Sequence, residues 1–122
     1  MSQSRRNKPT VKVMSKAGPD PVTLQANTVD EYLKRGLIYH ARGDQSKAEA
    51  DLRKVLSLDP ESVDAHYNLG LIFRAMGKLM EAGESFRSAL AGIKQMEEQN
   101  PARALMLSKL ATWQLDHLAK AG

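Results

Sequence analysis

The sequence predicts an all-α chain: a short right-handed solenoid of two helix-turn-helix repeats closed by a final capping helix. Three observations carry this. Gly36-Leu37-Ile38-Tyr39-x-Ala41-x-Gly43 returns 34 residues later as Gly70-Leu71-Ile72-Phe73-x-Ala75-x-Gly77, and a fixed period of that size marks helical units that bury a shared core by stacking. The echo extends in the same register, pairing Asp30 with Asp64, Ala48 with Ala82, Leu52 with Phe86, Arg53 with Arg87 and Leu56 with Leu90. Breakers fall where the helices of such units would end, at Gly43, Asp59-Pro60, Gly77 and Asn100-Pro101.

The elements follow in order. Residues 1–27 carry Pro9, Pro19, Pro21, Gly18 and several Ser and Thr, and read as a disordered basic N-terminal arm. Within it Thr10-Val11-Lys12-Val13-Met14 alternates and could add as a strand to a partner. The folded domain is expected over 28–122, with repeat 1 at about 29–62, repeat 2 at about 63–99 and the capping helix at about 101–120. Thr28-Val29-Asp30-Glu31 fits a capping box that opens the first helix, and Gly43 ends it in the left-handed conformation. Asp44 caps the second helix, which Asp59-Pro60 stops near Leu58. Ser62 caps the third, which ends at Gly77. The fourth starts near Lys78. Lys94 stands where the first repeat has Pro60, so this helix is expected to run about two turns past its counterpart, to Asn100. Pro101 suits the first turn of the last helix, which places Leu107, Leu110, Ala111, Leu115 and Leu118 on one apolar face.

Composition limits the functional classes. The 122 residues suffice for one modest core, and no cysteine is present for disulfides or thiolate chemistry. No stretch reaches the roughly 18 apolar residues of a membrane span, and no apolar run follows the basic N-terminus as in a secretory signal. A cytoplasmic protein without a transmembrane segment is expected. The net charge of +4 belongs to the arm, where Arg5, Arg6, Lys8, Lys12 and Lys16 face Asp20 alone. The remainder is balanced, so a nucleic-acid surface on the folded body is not expected.

These positions resemble the tetratricopeptide repeat family. The second unit reads His66, Leu69-Gly70, Phe73, Gly77, Ala82, Phe86 and Ala89; the first reads Tyr32, Arg35-Gly36, Tyr39, Gly43, Ala48, Leu52, Val55 and Pro60. Arg35, His66 and Lys94 depart from the pattern. The resemblance implies a non-enzymatic protein–protein interaction module, such as a small adaptor, co-chaperone or assembly factor, needing no cofactor. It also implies a concave binding face lined by the first helix of each repeat. There Leu33 and Leu37 line up with Tyr67 and Leu71 as an apolar stripe that the core does not require, and His40, Asn68 and Arg74 lie beside it. Leu105, Ser108 and Lys109 would add a third row. Arg74 and Lys109 would hold an acidic group of a peptide or helix. The competing expectation is that the last helix or the arm covers the stripe. The acidic-tail reading of chaperone-binding members is not expected, since Leu33 and Leu37 occupy positions where a carboxylate would need Lys and Asn.

Catalytic and metal chemistry find no motif. His40, His66 and His117 lack the spacing of a helical metal pair, and His66 reads as packed. Asp59, Glu61 and Asp64 are explained by capping and solvation, without the loop that calcium requires. Two alternatives to the groove remain. One is a self-assembling subunit, with Met96, Met106 and Trp113 available for a homodimer. The other is an arm that tethers nucleic acid or another acidic surface.

Overall fold

The computed structural model describes residues 25–121, with side chains as far as Leu118; most of the expected arm, including its alternating stretch, lies outside them. Five helices follow one another: α1 Val29–Ala41, α2 Gln45–Leu58, α3 Val63–Ala75, α4 Leu79–Met96 and α5 Pro101–Ala121. Each packs against the next, and α1 also meets α3, as in a short solenoid. Among the described residues there is no strand.

Short-range chemistry sets the helix ends. At α1, Thr28 Oγ1 accepts the Glu31 N–H at 3.2 Å, while Glu31 Oε1 accepts the N–H groups of Asn27 and Thr28 at 2.9 and 3.2 Å. These donors, Asn27 first, hold the Glu31 carboxyl below its usual range. Asp44 and Ser62 cap α2 and α3 through the N–H groups of Lys47 and Ala65. The two glycine turns match. Gly43 and Gly77 have φ of 83° and 79°, the region that most side chains avoid. The next residues, Asp44 and Lys78, donate back to the carbonyls of Tyr39 and Phe73 at 2.9 and 2.8 Å, closing a Schellman turn each time.

The predicted extension of α4 is half as long as expected. α4 has 18 residues against 14 in α2, which is about one extra turn. Residues 97–99 are spent on the reversal, where the N–H groups of Gln99 and Asn100 bond to Met96 O. Asn100 is thereby free to cap α5, its Oδ1 accepting the Arg103 N–H at 3.2 Å.

The core alternates small with large. Ala48, Leu52, Val55, Ile72, Ala82, Phe86 and Ala89 are fully enclosed. Gly36 lies against Leu52 and Gly70 against the Phe86 ring, which is the close-packed pairing the echo implies. Where the second repeat carries Leu69 and Ser85, the first carries Arg35 and Asp51. Arg35 Nε and Nη2 bond the two Asp51 oxygens, both at 2.8 Å. That fork holds the Arg35 guanidinium above its ordinary range. Among the described residues no helix precedes α1, and the Arg35 side chain there stays 24% exposed. His66 is half-buried and bonds Pro60 O through Nε2 at 3.0 Å, a packed role.

Candidate functional site

On α1, Leu33, Leu37, Ile38 and Ala41 form the floor of a shallow concavity of about 470 Å³, with Asp30 and Lys34 at its edge. Leu37 is exposed at 37%, whereas Leu33 is partly buried against the core. The matching α3 residues are more deeply engaged. Tyr67 is half-buried with its ring 5.5 Å from that of Phe86, and Leu71 is likewise packed on the core. The four residues therefore share a register but not an exposure, and Leu37 is the open one.

Helix α5 is fastened to α3 at both ends. Near its start Arg103 Nη2 donates to both Asp64 oxygens at 2.7 and 2.9 Å. Near its end Gln114 Oε1 accepts a hydrogen bond from Arg74 Nη1, and the Arg74 guanidinium lies 5.8 Å from the centre of the Trp113 ring. Trp113 in turn stacks on His117 at 3.6 Å and 21°, and His117 Nδ1 lies 2.8 Å from Trp113 O. Arg74 is thus held in place by a neutral amide and an aromatic face, with no carboxylate within ion-pair distance among the described residues. A half-buried guanidinium fixed this way keeps its charge available to a carboxylate.

The third row differs from the one expected. Leu105 and Ser108 line a separate cleft between α4 and α5. Toward α3, on the side shared with Arg103 and Gln114, α5 presents Met106, Leu110 and Trp113, exposed at 53, 43 and 49%. Their spacings of four and three residues put them on one stripe. Leu110 leaves the predicted inner face because Ala104, Leu107, Ala111 and Leu118 are the buried set. Two alanines there let α5 approach closely, and Leu110 lies about 100° around the helix from Ala111. Lys109 is exposed one turn before Trp113.

The remaining expected site residues are used locally. His40 Nδ1 lies 2.8 Å from Gln45 Oε1, tying α1 to the start of α2. Asn68 Nδ2 donates to Asp64 O at 2.8 Å within its own helix. The α5 stripe could have been read from its four-three spacing. The Arg74–Gln114 bond could not, since it joins positions 40 apart.

Residues 36–77, from within α1 to the turn after α3, match a family model described as TPR repeat. Comparison with curated proteins and with solved structures returned no match. Among the described residues no helix is long and apolar enough to cross a membrane.

Proposed function

Because the chain belongs to the tetratricopeptide-repeat family, we propose that it is a protein–protein interaction module, a small adaptor, co-chaperone or assembly factor. It would take an amphipathic helix or extended peptide along the face shared by α1, α3 and α5. The family is in general a non-catalytic interaction fold. The observation that carries the finer reading is the pairing of two exposed apolar surfaces with one uncompensated cation. Leu37 and its concavity lie on α1, Met106, Leu110 and Trp113 lie on α5, and Arg74 is braced between Gln114 and Trp113. A ligand with apolar residues at helical spacing and an acidic residue in its middle would use all three.

The test selects helical peptides from a displayed library on the full chain and measures their binding by fluorescence anisotropy. Burying a leucine-sized side chain stabilises by about 1.5–3 kcal/mol, so Leu37→Glu and Trp113→Ala should each weaken selected ligands by roughly 10-fold or more. Leu71→Glu is unsuitable, since that side chain supports the core. Peptides that bind both variants as tightly as the parent chain would remove the groove reading.

A further inference from the structure

We propose that the cleft between α4 and α5 is an interface with a second copy of this chain across a two-fold axis. This surface is separate from the α1–α3–α5 face and does not depend on the ligand reading above. The cleft encloses about 440 Å³, and its apolar wall is made by Leu90, Ile93, Pro101, Ala104 and Leu105. Leu105 stands at its margin, exposed at 59%. The cleft thus sets a large exposed aliphatic knob beside an apolar hollow.

The charges say what fits there. Lys94 and Glu97 also line the cleft, three residues apart on the last turn of α4 and its cap, and both are exposed. Among the described residues neither has an ion-pair partner, although their spacing would permit a mutual one. A two-fold axis brings residue i of one protomer to residue j of the other, and j to i. Lys94 then meets the partner's Glu97, Glu97 meets the partner's Lys94, and each Leu105 enters the opposite hollow. An apolar centre with one acid and one base at its rim is self-complementary, whereas a partner of uniform charge would leave one rim group facing its like. The surface is small beside the roughly 20–30 residues a side of a standard interface, so a weak, reversible dimer is expected.

Sedimentation velocity on the full chain, from about 1 µM to about 1 mM, tests for such a weak dimer. The expected result is a reversible monomer–dimer equilibrium. Leu105→Asp should stay monomeric with an unchanged melting temperature, because the side chain it replaces is mostly in water. Lys94→Glu makes both rim positions acidic and Glu97→Lys makes both basic, so each variant alone should be monomeric. Their equimolar mixture should recover a dimer, every rim contact then being between opposite charges. A strict monomer throughout overturns the proposal. So does assembly that survives Leu105→Asp, a mixture that fails to recover, or growth beyond a dimer.

Discussion

Gly36 and Gly70 occupy one position of the repeat, yet alanine should affect them differently. At Gly36 a methyl group would sit 3.2 Å from Asp51 Cβ and 3.2 Å from Leu52 Cδ2, tight contacts that a few tenths of an ångström would relieve. Removing glycine from a helix interior contributes about 1 kcal/mol, which offsets most of that strain. At Gly70 the methyl would meet Phe86, 2.6 Å from Cδ1, 2.7 Å from Cζ and closer still to Cε1. The Phe86 ring is rigid and fully buried, so it must shift by close to an ångström in a packed core. Overpacking of this kind costs about 1–3 kcal/mol, and here the upper part of that range applies. After the same helix-propensity gain, Gly70→Ala should lose about 1–2 kcal/mol, while Gly36→Ala should stay within about 0.5 kcal/mol of the parent. For a domain of this size these values correspond to a fall of roughly 5–15 °C in Tm against a change of a few degrees. Thermal and urea unfolding followed by far-UV circular dichroism measure both. A Gly70→Ala protein as stable as Gly36→Ala would refute the reasoning, since it would mean that α3 and α4 do not approach as closely as the geometry requires.

Two further outcomes follow from polar contacts. Arg35→Met strands the Asp51 carboxylate, whose side chain is 8% exposed, and should cost about 2–4 kcal/mol in urea unfolding. The double change Arg35→Leu/Asp51→Ser, which copies the second repeat, should recover most of that loss; additive losses would show that the two side chains are not coupled. Glu31 has a lowered carboxyl, chiefly through the Asn27 N–H. Its contribution is therefore fully present above the ordinary glutamate value of 4.5 and is lost as pH falls toward and through the lower folded one. Thermal melts between about pH 6 and about pH 3 should lose part of their acid dependence in Glu31→Gln, and an unchanged acid limb would count against the cap.

What could be read from the sequence depends on the range of the interaction concerned. Thr28 with Glu31, Gly43 before Asp44 and Ser62 before Ala65 act over three to five residues, so caps and turns are written locally. The buried set was legible for another reason: Leu52 with Phe86 and Ala48 with Ala82 are the same site seen twice. Pairings without a repeat counterpart were not legible. Arg35 with Asp51 joins positions 16 apart, and Arg103 with Asp64 joins positions 39 apart. The position of the α5 stripe depends on how close Ala104 and Ala111 bring that helix to α4. The period marks Leu33, Leu37, Tyr67 and Leu71 as alike, but not that Tyr67 would lean on Phe86 while Leu37 stayed in water.

The extra turn of α4 has a consequence for how this chain can be lengthened. α1–α2 and α3–α4 are related by one screw operation, with the same glycine hinge in each copy. Four added residues advance the end of α4 by about 6 Å and turn it by about 40° beyond a whole revolution, so α5 starts off that screw. A duplicated 34-residue unit could be spliced in upstream of residue 63 and continue the spiral. The same unit placed after Met96 would meet a surface facing another direction. Growth in this architecture is permitted between its two repeats and blocked after the second.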